Sequence, residues 1–146
     1  MYPYFDTQGL SADELLTNWR WLCPQGVRLI AVDVFGELFL EDKYGRVLRL
    51  DTARGELAQA SGSLDEFRKA ADDSQQRKEL FQEDAAGSLI DQGFHLQKGT
   101  CLGYKMPIVF SESKSTANNV YLANLQEHVS FLGDLHEQLK GVPGRR

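Results

Sequence analysis

Residues 27–57 read VRLIAVDVFGELFLEDKYGRVLRLDTARGEL, and this segment determines the fold class. It consists of runs of strand length, separated by short segments that each contain a glycine. The predicted strands are Val27–Val34, Glu37–Glu41 and Val47–Leu50, with Glu56–Ala60 as a candidate fourth strand. Loops this short can join antiparallel strands, whereas parallel strands need a long crossover connection. The segment therefore predicts an antiparallel meander.

The order of apolar residues within these runs predicts which side chains share a face. The first run is apolar on both faces, which is typical of a strand in the middle of a sheet with structure packed on each side. Its predicted faces are Val27, Leu29 and Ala31 against Ile30, Val32 and Val34. In the next two runs the predicted faces are Leu38 and Leu40 against Phe39, and Leu48 and Leu50 against Val47 and Arg49.

Two capping boxes mark the starts of helices. Ser11 and Glu14 stand three residues apart before an apolar-periodic segment, and we expect a helix from there to about Leu22. Ser63 and Glu66 repeat the same spacing. The two boxes predict an N-terminal helix and a middle helical segment.

The middle segment continues with a polar run that favours helix. Ser74–Gly87 is anchored by the apolar pair Leu80 and Phe81, and Gly87 is the expected interruption. After it, Phe94–Phe110 predicts a loop and one or two short strands, whose candidate inward positions are Tyr104, Met106, Ile108 and Phe110. Val120–Leu122 predicts a last short strand.

The clearest helix is Leu125–Leu139, where apolar residues recur at helical spacing. Its predicted buried stripe is Leu125, Val129, Leu132, Leu135, His136 and Leu139. The chain is thus predicted to be one α+β domain, residues 1–146, with mobile ends at 1–10 and 142–146. An antiparallel sheet of about five strands packs against the N-terminal helix, the middle helical segment and the long C-terminal helix.

Composition bounds the class of protein. The chain has 146 residues, 42% hydrophobic and 25% charged, as is usual for a soluble globular domain. No apolar run reaches the length of a membrane span, and the N-terminus lacks the pattern of a signal peptide, so a cytoplasmic location is expected. Cys23 and Cys101 are expected to be free and buried, since no export signal points to an oxidising compartment.

Charge is concentrated in one part of the chain. Residues 56–91 hold nine acidic and four basic side chains, a net charge of −5 that equals that of the whole chain. Direct binding to nucleic acid is therefore not expected, because phosphates are neutralised by clustered Lys and Arg. An acidic surface can instead attract a basic partner, although a merely solvated helical face would have the same composition. The candidate partner-binding residues, chosen on charge, are Asp65, Glu66, Asp72, Asp73, Glu79, Glu83 and Asp84.

The sequence contains no recognised catalytic or metal-binding motif, and neither a cofactor nor a metal is predicted. Cys101 with His128 or His136 could form a nucleophile–base pair or a metal site, but two histidines eight residues apart favour buried, hydrogen-bonded core residues. Asp33 interrupts an apolar strand and is expected to accept hydrogen bonds from a turn. Trp21 is the better candidate for an interface anchor than Trp19, which is expected in the core.

Several short segments occur in an order that resembles a bacterial protein family. They are Trp19–Leu22, Val34–Asp42, Gly45–Val47, Leu50–Thr52, Gly103–Pro107, and His128–Gly133 with Leu135–His136. Together they resemble the C-terminal domain of type VI secretion DNase-immunity proteins, from about Trp19 to Lys140. The chain differs after Pro107, where Ile108–Glu112 replaces a Leu/Gly-Gly turn expected in that family.

The resemblance implies a non-enzymatic immunity protein that binds a cognate secreted toxin, a nuclease, in the cytoplasm of the cell that makes it. The toxin is expected to be a basic protein, and neither a membrane nor a cofactor is implied. The segment after Pro107 keeps an alternative open: a stand-alone scaffold or regulatory module of the same fold with a non-toxin partner. A third hypothesis is a small hydrolase that uses Cys101 and a histidine. The sequence assigns no oligomeric state.

Overall fold

A computed structural model of the chain describes residues 7–105, 107 and 119–140, which form an α+β fold as predicted. The strands are β1 (Arg28–Val32), β2 (Leu38–Glu41), β3 (Val47–Asp51), β4 (Glu56–Ser61), β5 (Thr100–Tyr104) and β6 (Val120–Asn124). The helices are α1 (Ala12–Leu15), α2 (Leu64–Asp72), α3 (Ser74–Phe81), α4 (Glu83–Asp91) and α5 (Leu125–Leu139). The expectations for Met106, Ile108, Phe110 and the ends 1–6 and 141–146 lie outside the described residues.

The antiparallel meander is confirmed, and β1 to β4 pair in chain order. Its first turn is held by Asp33, whose Oδ1 accepts hydrogen bonds from the N–H groups of Phe35 (2.9 Å) and Glu37 (3.0 Å). Asp42 repeats this arrangement in the second turn. The glycine three residues after each aspartate has a φ of 79° or 84°, a conformation that other residues adopt only with strain. The role predicted for Asp33 in a turn is therefore confirmed.

A β-bulge changes the predicted faces of β1. Leu29 pairs with Leu40 and Ala31 pairs with Phe39, which leaves Ile30 as an extra residue. The predicted grouping of Ala31 with Leu29 is wrong, because Ile30 and Ala31 both pack on the Phe39 side. The predicted faces of β2 and β3 are confirmed: Leu38, Leu40 and Leu50 enter one apolar cluster, and Phe39 and Val47 enter another.

β1 lies at an edge of the four-stranded sheet. The prediction from its apolar sequence, which placed it in the middle of the sheet, is wrong. Its end is nevertheless covered, because the N–H of Leu102 in β5 donates to the carbonyl of Val34 at 2.7 Å. β5 and β6 form a separate antiparallel pair. The sheet predicted with about five strands is therefore one of four strands beside one of two.

Helices cover both faces of the four-stranded sheet. α5 and the N-terminal segment pack on the face of Leu38 and Leu50, whereas α2 and α3 pack on the face of Phe39. The phenyl rings of Phe39, Phe67 and Phe81 form the centre of this second layer, with ring centroids 5.1–6.2 Å apart. α4 packs with β5 and β6 in a third cluster.

The N-terminal helix is shorter than predicted. Ser11 caps it, but α1 ends at Leu15 and a 3-10 turn follows at Thr17–Trp19. The cause is a pair of tertiary contacts. The indole N–H of Trp19 donates to the carbonyl of Val129 at 2.8 Å, and the side-chain amide of Asn18 donates to the carbonyl of Ser130 at 3.0 Å. These contacts tie the turn to α5.

The middle helices break at Gln82. The predicted interruption at Gly87 is wrong. Gln82 has a φ of 55° and a ψ of 45°, and α4 runs through Gly87 without interruption. Among the described residues Gln82 is the one non-glycine residue with a positive φ. Such a conformation persists where surrounding contacts enforce it.

α5 spans Leu125–Leu139 as predicted, and the side chain of Asn124 caps it by accepting from the N–H of Glu127 at 2.9 Å. Most of the predicted stripe is buried, and Leu135 and Leu139 are half-buried at its margin. His128 and Gly133 are additional buried positions.

Candidate functional site

The acidic candidates lie on α2, α3 and α4, along the outer layer of the molecule. Six of the seven side chains are exposed, and Glu83 is half-buried. All seven belong to helices or helix junctions.

Three of these carboxylates also stabilise the helices themselves. Ser63 caps α2 by accepting from the N–H of Glu66 at 3.2 Å, and the Glu66 carboxylate accepts from the N–H of Gly62 at 3.1 Å, one residue before the N-cap to which a capping box would return. Asp73 caps α3 by accepting from the N–H groups of Gln75 and Gln76 at 3.1 and 2.9 Å. Glu83 forms an ion pair with Arg77 at 3.2 Å.

The other four, Asp65, Asp72, Glu79 and Asp84, form no cap or ion pair within the described part of the chain and are exposed. Their charge is therefore available to a partner. For the same reason, we expect each of these carboxylates to be replaceable at little cost in stability.

A groove of ≈ 720 Å³ runs between the sheet and the helices on the side of β4. Small residues form its sheet side, Ala58 and Ala60, and Glu66 and Glu79 line its helix side. Arg49 also lines the groove, but its charge is paired with the buried Glu37 at 2.6 Å. The groove is thus concave and acidic, and two of the predicted residues border it.

A buried polar cluster attaches the acidic helices to the first hairpin. It consists of Asp33, Glu37, Arg49 and Gln82. The Gln82 amide donates to Oδ2 of Asp33 at 3.1 Å and to a carboxylate oxygen of Glu37. Arg49 donates to the other oxygen of Glu37 at 2.6 Å. One amide nitrogen carries two hydrogens, so each carboxyl group receives one of them.

Burial governs the protonation of this cluster. It raises the pKa of Asp33 well above its usual value, with the neighbouring charge of Glu37 as the second cause. Burial also raises the pKa of Glu37, against the opposing charge of Arg49. Both carboxyl groups are buried. The cluster thus serves to hold the junction of α3 and α4 on the sheet.

Sequence reasoning identified Asp33 and missed its partners. Gln82 lies 49 residues away in the chain, and no local pattern marks it as a ligand of two carboxyl groups. Arg49 was predicted only to share a face of its strand with Val47, opposite Leu48 and Leu50. The alternation of Arg49 with Leu48 and Leu50 predicts the face of the strand on which Arg49 lies. It does not predict that the carboxylate of Glu37, which pairs with Arg49, is buried.

Cys101 lacks the features of an activated nucleophile. Its side chain is 0% exposed, and burial raises the pKa of the thiol to about 12, with the charge of Asp33 as a further cause. The reactive species is the thiolate, which is scarce at neutral pH under these conditions. Cys23 and Cys101 are both free and buried, as predicted.

His136 has the structural role that was expected. It is fully buried, and its Nε2 lies 3.1 Å from the carbonyl oxygen of Thr52 and 3.2 Å from that of Ala53. Both oxygens accept, so Nε2 carries the hydrogen. His136 therefore fastens α5 to the turn between β3 and β4.

His128 differs from the expected hydrogen-bonded core histidine. It is 8% exposed and has no hydrogen-bond partner within the described residues. Its ring lies between two glycines: a Cβ on Gly36 would lie 3.0 Å from its Cδ2, and a Cβ on Gly103 would lie 2.9 Å from its Cε1. Burial lowers its pKa to about 4, so the imidazole is neutral at physiological pH.

The described residues contain no group of three His, Cys, Asp or Glu side chains arranged to hold a metal ion. Cys101 and His128 both adjoin Gly36, whereas His136 lies at the turn after β3. The imagined ligand set is therefore not brought together.

Three aromatic side chains, two of them tryptophans, have different environments. Trp19 is buried in the core, as predicted, and Trp21 stacks on it with ring centroids 5.7 Å apart. Trp21 also donates to the carbonyl of Gly133 at 3.2 Å and is half-buried, so it has a structural role. Tyr44 is 71% exposed at the second turn.

In the part of the chain that the structure describes, no helix has both the length and the apolar character to cross a membrane. No family model matches the chain, and no curated protein matches it. The resemblance in the short segments between Trp19 and Lys140 therefore stays a prediction.

Proposed function

We propose that this protein is a binding protein that neutralises a cognate secreted toxin, a nuclease, by direct contact in the cytoplasm. The observation that carries the proposal is the groove between β4 and the acidic helices, bordered by Glu66 and Glu79. The ordered segments that resemble DNase-immunity proteins suggest the nature of the partner.

The physical argument is complementarity of charge. A nuclease needs a basic cleft to hold the phosphates of DNA, and that cleft also attracts an acidic protein surface. Opposite net charges accelerate the encounter, and salt screens the effect. The sheet-bound helices present their carboxylates without a large rearrangement, which keeps the ordering cost of association low.

The first experiment tests whether the protein neutralises a toxin. The gene for a basic, toxic protein beside that of this chain would supply the partner, and the two purified proteins would be mixed in a DNA-cleavage assay. We expect stoichiometric inhibition of cleavage. Unchanged cleavage together with no complex on gel filtration would contradict the proposal and favour a scaffold or regulatory module with another partner.

The second experiment tests the acidic surface. The triple variant Asp72→Lys, Glu79→Lys and Asp84→Lys reverses charges that cap no helix and form no ion pair among the described residues. We expect the association rate constant at low salt to fall at least tenfold, because steering is lost. Asp73 and Glu83 are left intact because they stabilise the helices.

A matched control reverses the same number of charges elsewhere. Glu127→Lys, Asp134→Lys and Glu137→Lys change exposed positions on α5 and shift the net charge equally. This variant should retain most of the association rate. Equal losses in the two triple variants would show that only total charge matters and would refute the role of α2–α4.

A further inference from the structure

A small cavity lies between β5, β6 and α5, apart from the acidic groove. It has a volume of ≈ 20 Å³, and its walls are mostly apolar and aromatic. Phe35 and Leu102 line it together with Tyr121, His128 and Phe131. This is room for about one water molecule, far below the size of a cofactor pocket.

His128 makes this cavity unusual. A buried imidazole normally pairs both ring nitrogens, and here neither has a partner among the described residues. Leaving such a buried group without a hydrogen-bond partner disfavours the folded state. The ring cannot turn away to reach another partner, because Gly36 and Gly103 enclose it at contact distance. Its side chain lines the cavity, so a group that enters the cavity meets the imidazole.

The rim of the cavity is a site of exposed apolar surface. Tyr121 is 40% exposed and Phe131 is 56% exposed, although both line the cavity. Leu122, the next residue of β6, is also exposed but does not line the cavity. Three of the four large hydrophobic side chains found exposed in the described residues belong to β6 and α5. Contiguous exposed apolar side chains are typical of protein–protein contacts.

We propose that this cavity is an anchor site for a tyrosine side chain of the partner protein, an inference that rests on the proposed binding function. The hydroxyl occupies the water-sized space and exchanges a hydrogen bond with His128. The ring packs against Phe131 and Tyr121 at the rim. A serine or threonine hydroxyl would be too short to fill both parts, and a lysine or arginine would lose its hydration against apolar walls.

Tyrosine suits this role for general reasons. It offers a large apolar surface with one polar end, and it is enriched among the residues that dominate binding energy at interfaces. A hydroxyl can donate or accept, so it can pair with either tautomer of the neutral imidazole.

The test uses the whole protein with carbon-13 in its histidine rings and needs no toxin. N-acetyl-tyrosinamide is titrated at pH 7 while the ring resonances are followed by NMR. We expect the His128 resonances to shift and those of the exposed His95 to stay unchanged. N-acetyl-phenylalaninamide, which lacks only the hydroxyl, should bind about fivefold more weakly, as one net hydrogen bond of about 1 kcal/mol implies.

Two variants examine the rim without disturbing the core. Phe131→Ala should weaken binding of the tyrosinamide about fivefold, because an exposed aromatic contact is lost. Tyr44→Ala, which removes an exposed ring outside the cavity, should leave binding unchanged. His128→Phe should abolish the preference for the hydroxyl, and Phe131→Ala keeps the proposal testable if that variant does not fold.

Other outcomes would overturn the proposal. If p-cresol shifts the His128 resonances and the tyrosinamide does not, the cavity takes a free phenol and not a residue of a protein. If neither probe shifts them up to its solubility limit, the cavity holds water only. Failure of these titrations leaves the toxin experiments unaffected, and failure of toxin inhibition leaves the titrations unaffected, so the two ideas fall separately.

Discussion

Gly133 lies where α5 approaches the N-terminal segment closely. A Cβ at this position would lie 2.7 Å from the carbonyl oxygen of Asn18 and 2.9 Å from Cδ1 of Trp19. One of these neighbours is backbone, which cannot rotate away. The absence of a side chain is therefore what lets the two segments touch.

The variant Gly133→Ala should lower the free energy of unfolding by about 1–3 kcal/mol, since overpacking outweighs the better helix propensity of alanine. Denaturant unfolding measures the change. Glu137→Ala, an exposed position on the same helix, serves as control and should change stability by less than about 0.5 kcal/mol. A neutral or stabilising Gly133→Ala would mean that the segments can separate at no cost.

The two cysteine thiols should be unreactive in the folded protein. Burial raises the pKa of Cys23 to about 11 and that of Cys101 to about 12. A chromogenic disulfide reagent at pH 7.5 should therefore modify neither thiol until denaturant is added. Rapid modification of Cys101 in the native state would revive the hydrolase hypothesis.

At the scale of elements, the helical layer on the acidic side depends on caps and on one junction. Asp73 ends α2 and caps α3, and Gln82 ends α3 and precedes α4. The amide of Gln82 binds two buried carboxyl groups, so the contacts of its side chain hold its backbone in the left-handed region. The order of these short helices thus depends on polar side chains at their ends.

Two adjacent aspartates allow a direct comparison. Asp73→Ala should lower the free energy of unfolding by about 0.5–2 kcal/mol, because α3 loses its N-cap. Asp72→Ala should be neutral or slightly stabilising, since it removes a negative charge from the C-terminal turn of α2. Thermal unfolding of both variants measures the difference. Equal effects would show that the cap contributes nothing.

Features determined by residues close together in the sequence could be predicted from it. Features determined by contacts with distant residues could not. The turn glycines, the Ser63–Glu66 capping box and the limits of α5 follow from residues within a few positions of one another. The bulge at Ile30, the short α1 and the break at Gln82 follow from partners in other elements. The carboxylates of the candidate surface could likewise be found from charge, whereas the His128 cavity needed the pairing of β5, β6 and α5.

At the scale of the whole molecule, buried ionisable groups give stability a pH dependence with two opposing parts. His128 is neutral in the folded protein down to about pH 4, although an ordinary histidine titrates near 6.5. The stability linked to this group is fully present above pH 6.5 and is lost as the pH falls toward 4. Asp33 acts in the opposite sense, because its raised pKa favours the folded state in acid and disfavours it as the pH rises.

Variants should separate these contributions. His128→Gln should remove an acid destabilisation of about 3 kcal/mol between pH 6.5 and 4, the energy of the difference between the two pKa values. Asp33→Asn should reduce the loss of stability that accompanies rising pH, and the raised pKa of Glu37 accounts for the remainder. The measurement is the slope of unfolding free energy against pH. Slopes equal to that of the unaltered protein would show that neither group is perturbed.

The bond from Trp19 to Val129 joins residues 110 positions apart. On a ribosome, the N-terminal segment emerges long before α5 exists to receive it, whereas the meander can close from neighbouring residues as it appears. The indole of Trp19 must therefore wait in an unfinished chain until α5 has been synthesised. The nascent protein thus exposes to chaperones and proteases a residue that its finished form buries completely.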